Sequence, residues 1–359
     1  MAQGFFVSIE VRFVWSAHPW TMAKVCIFSA EAYSRRSFAP LVEAFECQLI
    51  PEACSPSTAP LCRGYDVACL FMSDDCTREV VKIFKECGVK LIALRCHQSD
   101  RVDREACAEF GIPIVNVPKY SEHAIAEQAL ALAMCLNRRI HRAYNRVREG
   151  NFTLNGLIGM DFHGKTCGIV GTGRIGSAAA RIFKGLGMTV LASDPVPRAD
   201  FTDVVTYVKF DELLEKSDVI SLHCKLTSTT RYMISAGALG KMKPGVILVN
   251  VARGGLIHVP SLMKFIESGH IGAAGLDVYE EEPDYPLYTH DLSVMQDDER
   301  MKHWDEQYAK LRALPNVLCT PNSGFLTYEA CEDISQVTVQ SIRELESGKP
   351  LTNVLELKW

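Results

Sequence analysis

Short apolar runs alternate along this chain with longer segments in which apolar positions recur every three or four residues. From Lys24 the order is AKVCIFSA, a helix-like SFAPLVEAFE, YDVACLFM, a helix-like TREVVKIFKECG, and VKLIALR. Strand-like and helix-like segments in alternation predict parallel βαβ units. A second series begins at Gly164 with KTCGIVG, MTVLASD, VISLHC, GVILVNVAR, GAAGLDV and NVLCTPN, with helical segments between most of them. Six such runs are what a doubly wound nucleotide-binding domain requires. Between the two series, Ser121 to Tyr144 reads SEHAIAEQALALAMCLNRRIHRAY, apolar on nearly all faces until its basic end, which predicts one buried connecting helix. After Pro321 the helix-like YEACEDISQVTVQSIRELESG has no strand to follow and is expected to pack back on the first lobe.

The length, 359 residues, is that of about two domains. Lys+Arg of 38 against Asp+Glu of 43 leaves a formal charge of -5 with no long block of either sign, which argues against nucleic acid as a partner. No run of about 18 uncharged apolar residues occurs, so no membrane span is expected. The 14 cysteines contain no CxxC pair and read as reduced thiols of a cytoplasmic protein. The first 21 residues, broken by Glu10, Arg12 and His18, lack the apolar core of a secretory signal and read as an extension before a domain start near Met22.

The clearest chemistry lies in KTCGIVGTGRIGSAAARIF, a strand followed by Gly171-Thr-Gly173-Arg-Ile-Gly176 and a helix of small residues. The first glycine permits a tight turn, the second lets backbone approach a pyrophosphate, and the third lets the helix sit close to the strand. The helix N–H groups then face the anion. The next strand ends in Asp194, 23 positions after Gly171, near the ~20 expected for the acid that binds the adenosine ribose. A carboxylate there repels a 2′-phosphate, so NAD rather than NADP is the expected cofactor, with Arg198 the nearby residue that argues otherwise.

Beyond this point DVISLHCKLT, VILVNVARGGLI and GLDVYEEEP follow in order, and together they resemble the D-isomer-specific 2-hydroxyacid dehydrogenase family. NRRIHRAYNRVREGNF and SVMQDDERMKHWDEQYAKL resemble its D-lactate dehydrogenase branch, although MKHWDEQYAKL is longer than usual there. The resemblance implies two Rossmann-like lobes with the substrate in the cleft, the cofactor lobe inserted into the catalytic one. The expected division is an extension over 1–21, a catalytic domain from 22–121 and 322–359, and an NAD-binding domain over 122–321. It further implies that Arg174 and Ile175 touch the pyrophosphate, that Cys224, Lys225 and Thr230 flank the adenine and nicotinamide sides, that His223 lies close by, that Val251, Ala252 and Arg253 border the cofactor, and that Asp277 meets the carboxamide end. Arg253, after an apolar strand, can fork onto a 2-oxo acid carboxylate and polarise its carbonyl. Glu282 matches the carboxylate that orients a catalytic histidine, and Tyr120 aligns with a tyrosine near the substrate.

Two places depart from the family pattern. Where the family has its catalytic histidine this chain reads Thr320-Pro321-Asn322-Ser323, so Asn322 stands at that position. An amide can hydrogen-bond a substrate oxygen but has no proton to exchange near neutral pH. In the first lobe, where relatives read something like R-C-A-G-F-N-N-V-D, the chain reads Arg95-Cys96-His97-Gln98-Ser99-Asp100-Arg101-Val102-Asp103. The family binds the substrate carboxylate on backbone N–H groups of that segment. His97 and Gln98 therefore become candidate substrate-binding residues, with His97 a candidate proton donor against its ordinary reading as a structural or solvent-facing histidine. Smaller departures are Lys225 in place of a proline and His258 in place of an acid.

The leading expectation is an NAD-dependent oxidoreductase that moves a hydride between NADH and a 2-oxo/2-hydroxy acid or related carbonyl compound. Arg253, Glu282 and Asn322 form its catalytic set, and no metal is expected. The alternatives are an NAD-binding protein without turnover and a pathway enzyme with a repurposed pocket for redox or non-redox chemistry. The resemblance also implies a homodimer formed through the cofactor lobes and the 122–150 region.

Overall fold

The computed structural model describes residues 22–30, 36–97, 99, 101–279 and 305–355. The chain falls into two compact units, Met1–Lys119 with Glu332–Trp359, and Tyr120–Cys331. The second crossing between them lies inside the helix Tyr328–Glu346 rather than at residue 322, so Asn322 belongs to the second unit.

The first unit is built on a five-stranded parallel sheet: β1 (Lys24–Ile27), β2 (Glu46–Leu49), β3 (Val67–Leu70), β4 (Leu91–Leu94) and β5 (Ile114–Val115), in the order β2-β1-β3-β4-β5. The apolar runs are continuous because both faces are covered. Cys26, Ala68, Leu70, Ile92 and Leu94 pack with Val80, Val81 and Phe84 of the helix Arg78–Cys87, and with Ala106 and Cys107 of the helix Arg104–Phe110. Val25, Ile27, Val67, Cys69, Leu91 and Ala93 face the other way, onto Phe38, Leu41, Val339, Ile342 and Leu345. The C-terminal helix thus joins the first unit's core. One strand-like contact does come after it: Val354 bridges Val115 in antiparallel sense, and Leu355 N–H donates to Ile114 O.

The second unit carries a seven-stranded parallel sheet: β6 (Thr166–Val170), β7 (Thr189–Ser193), β8 (Thr206–Tyr207), β9 (Val219–Leu222), β10 (Val246–Asn250), β11 (Ile271–Leu276) and β12 (Val317–Cys319). Their order is β12-β11-β10-β9-β6-β7-β8. The order reverses between β6 and β9, and that reversal opens a crevice at the carboxyl ends of those two strands, where open α/β sheets take their ligands. One face packs on Ala126, Ala129, Leu132, Ala133 and Leu136 of the helix Glu122–Asn137 and on Ala179, Ala180 and Phe183 of the helix Arg174–Gly185. The other packs on the helices Phe210–Lys216, Ala236–Lys241 and Val259–Glu267.

The single helix expected over Ser121 to Tyr144 is two. Glu122–Asn137 ends where the Asn137 side chain turns to the backbone of Met160, giving its Nδ2–H to the carbonyl at 2.8 Å and taking the N–H at 2.9 Å. Arg139 then adopts the left-handed conformation at φ 54°, and Ile140–Arg148 restarts with no buried residue. Among the described residues no helix is long and apolar enough to cross a membrane, no group of three or more metal-ligating side chains occurs, and none of the fourteen cysteines forms a disulfide.

Candidate active site

The glycine-rich turn closes the β6 end of the crevice. Gly171 has φ +92°, and a Cβ on it would lie 2.8 Å from the Cys224 backbone nitrogen, so the turn presses directly on the segment after β9. A Cβ on Gly176 would meet Gly171 O at 1.9 Å, which is why helix and turn can touch only at glycine. Gly173 differs from both, with nothing within 4 Å of a Cβ added there. It is the N-cap of Arg174–Gly185 and gives that helix no side-chain cap, so the N-terminal end of the helix dipole lies beside the turn. Arg174 also lies 3.8 Å from Glu122.

Asp194 stands at the end of β7 with its carboxylate turned to this loop. Oδ2 accepts from Thr172 N–H at 2.6 Å and from Thr172 Oγ1 at 3.1 Å, and Oδ1 accepts from Val196 N–H at 2.8 Å. Tyr207 Oη donates to Thr172 Oγ1 at 3.0 Å from the short edge strand β8. Arg198, the residue that would welcome a 2′-phosphate, is bound to Asp200 at 2.8 Å and lies over the Phe201 ring. An anion cradle, an acid at the second strand end and a neighbouring guanidinium already engaged fit a dinucleotide without a 2′-phosphate.

On the opposite wall, His223 puts Nε2 2.9 Å from Ser221 Oγ, and its buried Nδ1 has no partner among the described residues. Burial lowers its pKa to about 4, so the imidazole is neutral at physiological pH. Burial likewise raises the half-buried Cys224 thiol to about 11, which keeps it protonated and unreactive. Lys225 is exposed, and Thr230 Oγ1 donates to its carbonyl at 2.7 Å.

Arg253 lies three residues past β10, on a loop shaped by buried Asn250. That amide accepts from Ala252 N–H at 3.0 Å and donates to Arg253 O at 2.9 Å, while Arg253 Nη1 donates to Ala252 O. Val251 is buried beneath the loop.

Asp277, after β11, is only 2% exposed. Its Oδ1 accepts from Thr320 Oγ1 at 2.5 Å and Ser323 N–H at 3.0 Å, and Oδ2 accepts from Gly324 N–H at 2.8 Å. Gln128 reaches the same group, with Nε2 3.3 Å from Thr320 Oγ1. The carboxylate expected at the carboxamide end is therefore directed in this structure at the 320–324 loop. Within that loop Asn322 has φ 52°, and its N–H donates to Thr320 O.

The carboxyl ends of one sheet thus gather Gly171–Gly176, Asp194, His223–Lys225, Val251–Arg253, Asp277 and Asn322. Tyr120 begins the second unit. His97 is exposed in the first unit, its carbonyl accepting from Asn116 Nδ2 at 2.9 Å. Gln98 and Glu282, as well as the extension over 1–21, lie outside the described residues. The pattern along the sequence did not single out Asn250, Gln128, Thr172 or Tyr207. Each acts through a partner distant in sequence or through backbone, and no local motif marks such a contact.

The comparisons with known proteins agree with this geometry. Residues 130–324 match the model of the D-isomer specific 2-hydroxyacid dehydrogenase, NAD binding domain. D-lactate dehydrogenase of Escherichia coli is 41% identical over 335 residues, covering 92% of this chain and 99% of that protein. Among solved structures, the pyruvate reductase of Chlamydomonas reinhardtii superposes with a TM-score of 0.90 at 44% identity, over 92% of this chain and 98% of that one. D-lactate dehydrogenase with NAD+ from Lactobacillus jensenii gives 0.77 at 31% identity, over 93% and 100%. With the cradle, the second-strand acid and the sheet order all in place, the chain belongs to the D-isomer specific 2-hydroxyacid dehydrogenase family and is an NAD-dependent oxidoreductase.

Proposed function

We propose that this protein reduces a small 2-oxo acid of the pyruvate class to the D-2-hydroxy acid, with Arg253 as the substrate-orienting cation and Asn322 as a hydrogen-bond donor that exchanges no proton. The observation that carries the reading is that Arg253 and the Asn322 loop leave the same sheet end as the Gly171–Gly176 cradle. The names of two relatives, a D-lactate dehydrogenase and a pyruvate reductase, support the substrate class.

When bound, NADH would supply the hydride for the reduction. The Gly173–Gly176 turn and Asp194 would hold the pyrophosphate and ribose. His223, Cys224, Lys225, Thr230, Val251 and Ala252 border the rest of the cofactor. The Arg253 guanidinium forks onto the substrate carboxylate and draws charge from the carbonyl oxygen. Asn322 Nδ2–H meets that oxygen, and the proton that completes the alcohol comes from water. Tyr120, at the start of the second unit, faces the acid's side chain.

NADH fluorescence titration followed by a panel of 2-oxo acids of rising side-chain size tests the proposal. NADH is expected to bind and to be oxidised by at least one acid of the panel. Tight NADH binding with no oxidation by any of them would favour the second reading, an NAD-binding protein without turnover, to which the amide at position 322 gives specific support.

A second copy of this chain is the proposed macromolecular partner, docking on the stretch from the helix Ile140–Arg148 onward. That helix buries nothing, and Phe152, Leu154 and Ile158 are 74%, 82% and 88% exposed, an apolar surface that a partner would cover. Sedimentation is expected to give a dimer for the parent and a monomer for Leu154→Glu/Ile158→Glu, and a parent that sediments as a monomer would end this reading. The unpaired thiols support a reducing compartment, the cytoplasm.

A further inference from the structure

At the ribose corner of the second unit an acid and an arginine share one loop. Between Asp194 and Arg198 lie Pro195, Val196 and Pro197, and the two proline rings fix φ on either side of Val196. The Val196 N–H donates to Asp194 Oδ1 at 2.8 Å, which closes the turn. The backbone that carries Arg198 is therefore set, and only its side chain has a choice of direction. That side chain reaches back to the helix Arg174–Gly185, where Nη1–H donates to Ser177 Oγ at 3.2 Å. The same hydroxyl donates to the carbonyl of Thr172 at 2.9 Å, and Thr172 is the residue whose N–H and hydroxyl Asp194 accepts. A single hydroxyl thus separates the arginine from the residue that the acid grips.

A guanidinium in such a corner is what a 2′-phosphate requires. In this chain it is occupied. Asp200 receives it as a fork, with Nε–H donating to Oδ1 at 3.2 Å and Nη2–H to Oδ2 at 2.8 Å. The guanidinium carbon lies over the Phe201 ring, 5.3 Å from its centroid, and that ring is fully buried, so the surface under the cation is fixed. Arg181 of the cradle helix lies over the same ring at 5.0 Å. Both arginines act on Asp200: the hydrogen bond from Arg198 holds its carboxyl below the usual range, and the charge of Arg181 adds to the effect.

An exposed ion pair standing alone holds its partners weakly. Here the fork, the ring and the Ser177 hydroxyl act together on one side chain. A phosphate that recruits Arg198 must break the fork and leave Asp200 as a second negative charge beside itself.

We propose that Asp200 is a specificity-determining residue for the cofactor: by forking the Arg198 guanidinium and keeping it over Phe201, it withholds from the adenosine ribose the cation that a 2′-phosphate needs. The proposal rests on the reading that Asp194 receives that ribose. The two acids act differently. Asp194 repels the phosphate directly, whereas Asp200 acts through Arg198 and touches no cofactor. Asp200→Asn keeps the size of the side chain and one acceptor oxygen, but removes the charge that holds the fork.

Fluorescence titration with NADH and with NADPH tests it on the parent, Asp200→Asn, Arg198→Ala and the double variant Arg198→Ala/Asp200→Asn, with the thermal midpoint of each as the check of folding. Asp200→Asn is expected to tighten NADPH about tenfold and to leave NADH Kd within about twofold, and salt at about 0.5 M is expected to remove most of the gain. Arg198→Ala is expected to leave the parent's NADPH Kd within about twofold, because the cation it removes is already withheld, and the double variant is expected to lack the gain. A folded Asp200→Asn that binds NADPH no better than the parent overturns the proposal. A double variant that keeps the gain also overturns it, since the gain then comes from a lost negative charge and not from Arg198. If NADPH binds too weakly to titrate, the comparison is repeated with Asp194→Ser beneath each protein, and equal NADPH Kd with and without Asp200 overturns the proposal. Asp194→Ser by itself is expected to weaken NADH. An unchanged NADH Kd in that variant would place the ribose elsewhere and remove the proposal together with the reading it rests on, whereas a weakened NADH Kd with no NADPH response to Asp200→Asn defeats the proposal alone.

Discussion

Asn322→His is expected to raise the rate of 2-oxo acid reduction by about 10²–10⁴, the usual contribution of a positioned general acid. The reason is partly chemical: the parent amide can hold the substrate oxygen but cannot deliver a proton, whereas imidazolium does both. It is also conformational. Position 322 has φ 52°, where asparagine and histidine are both enriched among non-glycine residues, so the exchange requires no new backbone path. The loop holds its shape on either side, because Thr320, Ser323 and Gly324 are all tied to the buried Asp277 carboxylate. Stopped-flow or steady-state NADH oxidation with the responsive acid, over a pH range of about 5.5 to 8.5 that brackets the ordinary histidine pKa, checks it. The gain should be largest at low pH and fall as the new imidazole loses its proton. A variant no faster than the parent at any pH would mean that the proton already reaches the carbonyl by another route, and His97→Ala would then be the informative change.

The sequence carried most of this fold because the strands are buried on both faces. KTCGIVG, VISLHC and GVILVNVAR are legible since nothing polar interrupts them for long, and the Gly171–Gly176 turn is legible since its glycines fall at the spacing a pyrophosphate cradle needs. What escaped was short or non-local. Ile114–Val115 and Thr206–Tyr207 are two-residue edge strands defined by their neighbours rather than by their own pattern. Glu46–Leu49 has two exposed positions of its four and reads as the tail of the preceding helix. The break at Arg139 has no glycine or proline to announce it, because the side chain of Asn137 turns aside to Met160. Within the site, the glycine turn and Asp194 could be read from motif spacing and the other candidates through the family resemblance, but the residues holding those loops could be read from neither. Asp277 reaches 43 to 47 positions along the chain to Thr320, Ser323 and Gly324, and Gln128 reaches 192 positions to Thr320. No spacing rule covers such distances.

Gly173→Val is expected to cost about 100-fold in NADH affinity while leaving the thermal midpoint of the free protein within a degree or two, and Gly176→Ala is expected to do the reverse in order of cause. The two glycines share one turn but answer to different neighbours. At Gly176 the new Cβ would meet the Gly171 carbonyl oxygen at 1.9 Å, a backbone atom that can yield only if the helix Arg174–Gly185 moves away from β6. Folding suffers first there, with overpacking strain of about 1–3 kcal/mol or more, and cofactor binding falls as a consequence. At Gly173 the backbone is extended, at φ -62° and ψ -170°, a conformation any residue adopts, and a Cβ meets no protein atom within 4 Å. A valine there harms nothing until the pyrophosphate arrives to occupy the same space above the helix N-terminus. Excluding that close approach removes both the backbone hydrogen bonds and the favourable end of the helix dipole, and about 2.7 kcal/mol of lost binding corresponds to the 100-fold loss. Calorimetry of unfolding with and without NADH separates the two: the parent and Gly176→Ala should still gain stability from added cofactor, the latter from a lower start, and Gly173→Val should gain almost none. A Gly173→Val protein that binds NADH like the parent would place the pyrophosphate elsewhere and remove the cradle from the mechanism.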